Sequence, residues 1–342
     1  MKLYEKMKTG TYIIAEMSAN HAGKIENAFS IIEEAKKAGA DCVKIQTYTA
    51  DTLTIDCDSE SYRLKGGLWD GYNYYQLYKE AYTPWEWQPA LKAKCEEVGV
   101  DFLSTPFDFT AVDFLEDMGV EFYKIASFEL IDIPLIEYTA RKGKPMIISC
   151  GMGSVEEMEE AMAACRKQKN EQIVLLKCCS QYPARYEDMN LSVISDMQKR
   201  FGVPIGLSDH SMGSLAPAVA VSLGAKVIEK HVCLSRKIEN PDAGFSMEIE
   251  EFAKMVEDVR AAEKMLGAPT YELTEHEKSG LVNRRSLVAV KPIAQGEVFT
   301  AENVRSIRPA IGMKPKYYQE LLGKKAKQAY GFGEPIVMAE LE

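Results

Sequence analysis

The sequence lacks a run of apolar residues long enough to cross a membrane, which takes about 20 such residues, and residues 1–10 lack the apolar centre of a secretory signal. It also lacks an excess of positive charge. The 51 Asp and Glu residues outnumber the 41 Lys and Arg residues and give a net charge of −10. This sign disfavours nucleic acid and anionic lipid as partners. We therefore expect neither a membrane nor a nucleic acid to bind this protein.

Cysteine pairs with Cys-x-x-Cys spacing are absent as well, although the chain has 8 cysteines. Cys42, Cys150, Cys178 and Cys233 lie inside apolar, strand-like runs. A chain of 342 residues can bury a core without the help of disulfides. We therefore predict reduced, mostly buried thiols in a cytoplasmic protein.

Short apolar runs alternate with segments of helical period from Tyr12 to about Leu266. Such alternation over about 250 residues is typical of an α/β fold of the (β/α)8 TIM barrel type. A doubly wound sheet is the competing arrangement, but no G-x-G-x-x-G fingerprint follows the first strand. The predicted strands are residues 12–16, 42–47, 101–104, 122–125, 145–149, 173–178, 203–208 and 227–231, and the clearest predicted helices are residues 26–38, 155–168 and 248–266.

The pattern of apolar and polar residues changes after Leu266. A polar connector leads into turn-rich sequence that favours a compact domain with short strands and little helix. Residues 284–342 carry 10 basic and 6 acidic residues, a net charge of +4 beside a strongly acidic remainder. We predict a barrel over residues 1–268, a linker over 269–283 and a small domain over 284–342. The charge contrast indicates docking within the chain or across a dimer, although an independent appendage fits the composition too.

Polar side chains stand at the ends of all eight predicted strands, where barrel enzymes place their chemistry. Residues two apart on a strand share a face, so Lys44 pairs with Gln46, Ser208 with His210, and Glu229 with His231. We therefore predict a catalytic mouth at this end of the barrel. Its candidate residues are Glu16, Lys44, Gln46, Thr105, Asp108, Lys124, Ser127, Glu129, Ser149, Ser180, Tyr182, Ser208, Asp209, His210, Glu229 and His231.

Two kinds of chemistry suit these residues. His210 and His231 end neighbouring strands, and two neutral imidazoles plus waters form an open site for a divalent metal such as Mn²⁺. Each could equally be a hydrogen-bonded rim residue. Lys44 and Lys124, with nearby hydroxyls and the backbone at Gly151, suit a phosphate-bearing carboxylate, although some of the serines are expected to cap helices.

The segment Gly66-Gly67-Leu68-Trp69-Asp70-Gly71 lies in a long loop after the second strand. Long loops at this end of a barrel often carry function. We predict that the aromatic and acidic side chains of this loop line a substrate pocket.

Several segments, taken in order, resemble the sialic acid synthase family along essentially the whole chain. In the barrel they are 18–23 (Ser-Ala-Asn-His-Ala-Gly), 43–47 (Val-Lys-Ile-Gln-Thr), 104–107 (Ser-Thr-Pro-Phe), 123–127 (Tyr-Lys-Ile-Ala-Ser), 206–211 (Gly-Leu-Ser-Asp-His-Ser) and 229–231 (Glu-Lys-His). In the tail, 284–287 (Arg-Arg-Ser-Leu) and 306–309 (Ser-Ile-Arg-Pro) are similar to the family's antifreeze-like (SAF, β-clip type) domain.

The resemblance implies a phosphoenolpyruvate-dependent nonulosonic acid synthase that joins phosphoenolpyruvate to a 2,4-diacetamido hexose and releases phosphate. It implies a cytoplasmic enzyme and a domain-swapped homodimer, with Arg308 reaching a partner's mouth. The acceptor is expected to be 2,4-diacetamido-2,4,6-trideoxy-L-altrose, and N-acetylmannosamine and the legionaminic acid precursor are competing acceptors. A carbohydrate-binding protein without catalysis and a metal-dependent aldolase are two competing functions.

The resemblance also implies a role for each candidate residue. Glu16, Glu229, His210 and His231 would act on the reacting atoms, and the two histidines would bind Mn²⁺ or Mg²⁺. The residues expected to hold phosphoenolpyruvate are Lys44, Thr105, Lys124, Ser127, Ser149, Ser180 and Ser208. Those expected to face the sugar are Glu16, Gln46, Glu129, Tyr182, Asp242 and Arg308. Which carboxylate handles the water stays open between Glu229 and Glu16.

Overall fold

A computed structural model describes residues 2–341. It divides into two compact units, of which the first ends at Gly267 and the second begins at Ala268. The first unit holds eight parallel strands in the order β3-β2-β1-β8-β7-β6-β5-β4, and β3 packs beside β4, which brings the sheet round into a barrel. The strands are β1 (Tyr12–Glu16), β2 (Cys42–Thr47), β3 (Asp101–Pro106), β4 (Tyr123–Ile125), β5 (Met146–Ser149), β6 (Ile173–Cys178), β7 (Ile205–Asp209) and β8 (Val227–Cys233).

Helices follow the strands in the (β/α)8 manner, and the structure confirms the predicted fold class. The helices of the first unit are α1 (Lys2–Thr9), α2 (Ile25–Lys37), α3 (Ala50–Leu53), α4 (Tyr74–Ala81), α5 (Gln88–Val98), α6 (Phe109–Asp117), α7 (Ile133–Ala140), α8 (Val155–Lys167), α9 (Val193–Phe201), α10 (Leu215–Ser222) and α11 (Ile249–Leu266). A short strand β9 (Met247–Glu248) pairs with the end of β8. No helix among residues 2–341 combines the length and apolarity needed to span a bilayer.

Local sequence explains where these helices begin. The Ser154 hydroxyl accepts the backbone N–H of Glu157 at 3.2 Å, and the Glu157 carboxylate accepts that of Ser154 at 2.7 Å. This reciprocal pair satisfies two N–H groups that the first turn of α8 would leave without partners. Asp108, predicted at the rim, caps α6 by accepting the N–H groups of Thr110 and Ala111. Its carboxylate therefore stabilises the first turn of α6.

The barrel interior changes from apolar to charged along its axis. Near the starts of the strands it is filled by Tyr12, Ile14, Leu103 and other apolar side chains. Helix α1, which the sequence patterns did not predict, adds Leu3 and Met7 to this cluster and covers it. Water is thereby excluded from one end of the barrel, and the polar groups gather at the other end.

The second unit has its own small core. Strands β10 (Ser286–Ala289) and β11 (Val304–Ile307) form an antiparallel pair, and Leu287, Phe299 and Tyr330 are among the side chains buried beside them. Its helices α12 (Glu275–Ser279) and α13 (Tyr318–Leu321) are short, as expected for a domain with little helix. Helix α12 lies within the segment predicted to be a linker.

Candidate active site

Alternation along β7 and β8 sends side chains to two sides of the sheet. Glu229 and His231 share one face of β8, and Lys230 points to the other. There the Lys230 ammonium donates to Asp209 Oδ2 at 2.6 Å and to the Ser211 carbonyl. The rim candidate Asp209 therefore pairs with Lys230 and fastens the loop after β7, away from the mouth.

Four buried charges meet inside the barrel at the ends of the strands. Lys44 Nζ lies 2.9 Å from Glu16 Oε2 and 3.5 Å from Glu229 Oε1. Lys124 Nζ lies 4.0 Å from Glu229 Oε2. None of these four side chains is more than 5% exposed. We call Glu16, Lys44, Lys124 and Glu229 the charge cluster; its positive and negative charges are equal in number.

Burial and neighbouring charge shift the acidities within the charge cluster. Burial raises the pKa of Glu16 despite the nearby Lys44 ammonium. Burial also lowers the pKa of Lys124. Burial acts against the charge of Lys44 as well, but Glu16 and Glu229 outweigh it and raise the pKa of that ammonium. Lys44 is therefore the more firmly charged of the two lysines.

Hydroxyl groups surround the charge cluster. Lys124 Nζ donates to Ser149 Oγ at 2.6 Å, Ser208 Oγ donates to Glu229 Oε1 at 3.1 Å, and Thr105 Oγ1 lies 3.5 Å from Lys44 Nζ. The fold thus brings five of the seven predicted anion-binding side chains into one connected group.

The remaining two, Ser127 and Ser180, meet at the glycine that follows β5. The Gly151 N–H donates to Ser127 Oγ at 3.1 Å. A Cβ on Gly151 would collide with Ser180 Oγ and would lie 2.9 Å from Ser127 Oγ. Two hydroxyls and a backbone N–H therefore converge where only glycine fits, which is a cradle suited to an anion.

The rings of His210 and His231 lie side by side, with centroids 5.3 Å apart. His210 Nδ1 is 3.0 Å from the Cys179 carbonyl oxygen, so it carries the proton and leaves Nε2 free as a ligand. His231 Nδ1 is buried without a hydrogen-bond partner. Among residues 2–341 no group of three or more His, Cys, Asp or Glu side chains is placed so that it could hold a metal ion. The donor set that would fit a divalent ion here is the pair of imidazoles, since His210 Nε2 and the unpartnered His231 Nδ1 could each serve as a ligand.

A cavity of about 380 Å³ opens beside these rings. Predicted sugar-facing residues line it, namely Gln46, Glu129, Tyr182 and Asp242, together with His231. Glu129 Oε2 is buried without a hydrogen-bond partner, and burial raises the pKa of this carboxyl to about 7. Glu16 lies behind the lining, where its Oε1 accepts Gln46 Nε2 at 3.0 Å.

The cavity also has lining residues that sequence reasoning missed. Ser18 accepts Gln46 Nε2 at 3.0 Å, and it stands in the segment directly after β1, which was singled out only as a family match. Phe245 stacks edge-on against Tyr182 and His231, with centroids 5.0 and 4.9 Å apart. Nothing in the local pattern around Phe245 distinguishes it from a core aromatic.

The prediction for the loop after β2 is half confirmed. Trp69 lines the cavity. Asp70 instead accepts the Gly66 N–H at 2.8 Å and is absent from the lining. Arg308 is an exposed residue just after β11 in the second unit, and its predicted reach into a partner's mouth stays a prediction.

Comparisons with known proteins show the family of this chain. Residues 31–271 match the NeuB family and residues 284–342 match the SAF domain. The chain is 46% identical over 331 residues to the pseudaminic acid synthase of Campylobacter jejuni, covering 97% of this chain and 96% of the relative. It is 40% identical to that of Helicobacter pylori, covering 96% and 97%, and 34% identical to the N,N'-diacetyllegionaminic acid synthase of Campylobacter jejuni, covering 95% and 98%.

Among solved structures, the N-acetylneuraminic acid synthetase of Leptospira borgpetersenii in complex with citrate is 33% identical, with a TM-score of 0.71 over 80% of this chain and 90% of that one. A barrel with charged and imidazole groups at its strand ends, followed by an SAF domain, defines a class of sugar acid synthases. The chain belongs to the NeuB family.

The Gly151 cradle yields a prediction. Gly151→Ala should push Ser127 and Ser180 away from the backbone N–H, because both hydroxyls occupy the space of the new methyl group. Losing one or two hydrogen bonds to a charged ligand should raise the KM for phosphoenolpyruvate about 10- to 100-fold. Steady-state kinetics with the sugar held constant measures this change.

The matched control is Gly280→Ala, because a Cβ at Gly280 would meet nothing within 4 Å and the residue lies in the second unit. It should leave the KM unchanged. An unchanged KM in Gly151→Ala would show that this cradle does not hold the anion.

Proposed function

We propose that the protein is a pseudaminic acid synthase, which condenses phosphoenolpyruvate with 2,4-diacetamido-2,4,6-trideoxy-L-altrose and water to give pseudaminic acid and phosphate. The observation that carries this proposal is the position of His231. It is paired with Glu16 of the charge cluster in the register of β1 and β8, and it also lines the cavity. An anion at the charge cluster and a sugar in the cavity would therefore meet beside it. The choice of sugar is supported by relatives 46% and 40% identical that bear this name. The loop 65–70 (Lys-Gly-Gly-Leu-Trp-Asp) and the tail segment 314–318 (Lys-Pro-Lys-Tyr-Tyr) are similar to that subgroup.

Phosphoenolpyruvate would bind at the charge cluster and its hydroxyls. In the structure Lys124 is held by Ser149 and by the Ile125 carbonyl at 2.9 Å, and Lys44 is held by two carboxylates. These contacts keep both ammonium groups in place before the anion arrives, so little reorganisation is required on binding. The hydroxyls of Ser127 and Ser180 supply further donors, and the Gly151 N–H holds the Ser127 hydroxyl in place.

His210 and His231 would hold Mn²⁺ or Mg²⁺. When bound, such an ion supplies Lewis acid chemistry, polarising a carbonyl oxygen. The hydrogen bond between His210 and the Cys179 carbonyl fixes the orientation of one imidazole, and the packing of Phe245 against His231 fixes the other. Both rings are thus positioned without any contribution from the ion.

The carbon–carbon bond forms between C3 of phosphoenolpyruvate and the aldehyde carbon of the sugar. Positive charge then develops at C2, water adds there, and cleavage of the C–O bond releases phosphate. The Oε2 atoms of Glu229 and Glu16 are both buried without a hydrogen-bond partner. We assign the water to Glu229, because the ammonium beside its Oε2, that of Lys124, is 4.0 Å away, whereas the Lys44 ammonium lies 2.9 Å from Glu16 Oε2. Lys44 and Lys124 stabilise the phosphate throughout.

The sugar would occupy the cavity, whose lining includes several polar groups. Gln46, Tyr182 and Asp242 are held by the protein, and Asp242 Oδ2 accepts the Ala19 N–H at 3.1 Å. Glu129 keeps a free oxygen that can accept a hydroxyl or amide N–H of the acceptor.

A homodimer in which Arg308 completes the partner's site is the arrangement we propose for catalysis. Exposed apolar residues follow the strands at the mouth, as expected of a surface that is covered in an assembly. They are Phe109, Phe128, Ile131, Met152, Tyr186 and Leu215. The second unit is basic and the barrel acidic, a charge contrast that supports a dimer of this kind. We place the reaction in the cytoplasm, where single thiols such as those of this chain stay reduced.

The first prediction of the proposed function concerns the substrates. Phosphate should be released from phosphoenolpyruvate in the presence of 2,4-diacetamido-2,4,6-trideoxy-L-altrose, and more slowly or not at all with N-acetylmannosamine or the legionaminic acid precursor. In ¹⁸O-labelled water the released phosphate should stay unlabelled, because the C–O bond breaks. Mass spectrometry of both products checks this.

Faster turnover with another hexose would assign the chain to a sister activity with the same chemistry. If none of the three hexoses supports phosphate release, a carbohydrate-binding protein and an aldolase are the functions that remain. Labelled phosphate would contradict C–O cleavage.

The second prediction concerns the metal. His231→Ala should lose bound Mn²⁺, measured by elemental analysis of the purified protein, because one of two imidazole ligands is gone. Turnover should fall at least about 100-fold, as when an electrostatic group that stabilises a transition state is removed. His276→Ala is the control, since His276 is exposed on α12. Retention of metal by a folded His231→Ala protein would remove this residue from the metal site.

The third prediction concerns the dimer. Arg308→Ala and His231→Ala chains should each be inactive as homodimers. A heterodimer purified from their co-expression should regain about half of the wild-type activity, because the intact barrel of one chain meets the intact Arg308 of the other. If Arg308 serves its own barrel, the heterodimer will be no more active than its parents.

A further inference from the structure

The loop after β2 closes on itself and directs one aromatic side chain inward. Leu64 and Tyr72 are joined by a backbone hydrogen bond of 2.8 Å, and Gly71 donates to the Leu64 carbonyl at 3.2 Å. Gly66 has a φ of 75°, which glycine adopts without strain, and its N–H is held by Asp70. We call residues 64–72 the tryptophan loop. Asp70 thus shapes this loop and leaves Trp69 to face the cavity.

Trp69 is fixed across the mouth of the barrel. Its Nε1 donates to the Pro241 carbonyl, in the loop after β8, at 2.9 Å. The indole ring also lies 5.5 Å from the Tyr182 ring and 6.2 Å from the Phe245 ring, centroid to centroid. Because its only donor is already used, Trp69 offers the cavity apolar surface alone.

The cavity lining therefore combines two kinds of chemistry. Ser18, Gln46, Glu129 and Asp242 provide hydrogen-bonding groups. Apolar residues of the tryptophan loop and its surroundings form much of the remaining lining; they are Leu53, Leu64, Trp69, Leu77, Phe107 and Phe245. A hydroxyl placed against the apolar residues would give up its hydrogen bonds to water without replacement, whereas a methyl group would gain from burial.

This division matches the acceptor of the proposed function, on which the inference rests. That sugar has a methyl group at C6 in place of a hydroxymethyl group, and its two acetamido groups end in methyls. His231 borders the cavity, and the aldehyde must react beside it. Tyr182 and Phe245 each pack against both His231 and Trp69. The far end of the six-carbon chain would then extend past these two rings toward Trp69.

We propose that Trp69 is a specificity-determining residue: it forms the apolar surface that receives the C6 methyl of the acceptor and disfavours a sugar with a hydroxyl there. A hydrophobic pocket discriminates against one added hydroxyl by about 10- to 100-fold. Trp69 takes no part in the chemical step, so its contribution lies in the KM for the sugar.

The test compares the trideoxy sugar with its 6-hydroxy analogue, a 2,4-diacetamido-2,4-dideoxy hexose. Wild type should prefer the trideoxy sugar at least about 10-fold in kcat/KM. Trp69→Ala should bring this ratio close to one, chiefly by raising the KM for the trideoxy sugar. Trp69→Phe should keep the preference, because it retains an apolar ring without the N–H.

Leu68→Ala is the matched control, since Leu68 is an exposed neighbour in the same loop and does not line the cavity. It should leave the ratio unchanged. If Trp69→Ala lowers kcat/KM equally for both sugars, the role of Trp69 is structural. If it changes kcat/KM for neither sugar, Trp69 has no role in binding them. Either result would overturn the proposal.

Calorimetric binding of both sugars separates this inference from the proposed function. If the wild type binds the trideoxy sugar selectively but releases no phosphate, the synthase activity is overturned. The role of Trp69 is then upheld if Trp69→Ala makes the Kd values of the two sugars equal. A wild type that turns over both sugars equally would overturn the role of Trp69 and uphold the synthase activity.

Discussion

The structure depends most on the mutual neutralisation of Lys44, Lys124, Glu16 and Glu229 inside the barrel. Burying an isolated charge costs several kcal/mol even after relaxation, and each of these groups is buried. Lys44 bridges both carboxylates, so the loss of either would leave an uncompensated ammonium. The strands can end in charged residues only because the barrel brings opposite charges from different strands together.

Neutrality also bears on the proposed substrates. Phosphoenolpyruvate carries about three negative charges at neutral pH, which the charge cluster alone does not balance. A divalent ion at His210 and His231 and an arginine from a second chain would supply the missing positive charge. The proposed metal and the proposed dimer would thus both supply positive charge to balance phosphoenolpyruvate.

The sequence predicted the strands and the facing of their side chains because a period of two is a local property. Gln46 and Lys44, or Glu229 and His231, needed only their own strand to be placed. The partners of those side chains come from other strands, so the pairing of Lys230 with Asp209 and of Lys44 with Glu16 could not be read locally. Helix α1 was missed because its role is to cover the barrel's end, which requires the closed barrel to exist.

The candidate site divides between rigid strands and one shaped loop, and the division follows from what each must do. The groups proposed to bind the anion and the metal stand on hydrogen-bonded strands or within two residues of a strand's end, where small displacements would cost much of their effect. Trp69 stands on a loop whose glycines and Asp70 set its path without contacting the barrel core. Such a loop can change its sequence without disturbing the charge cluster. Shared chemistry and variable sugar choice can therefore coexist on one barrel, because different parts of the chain carry them.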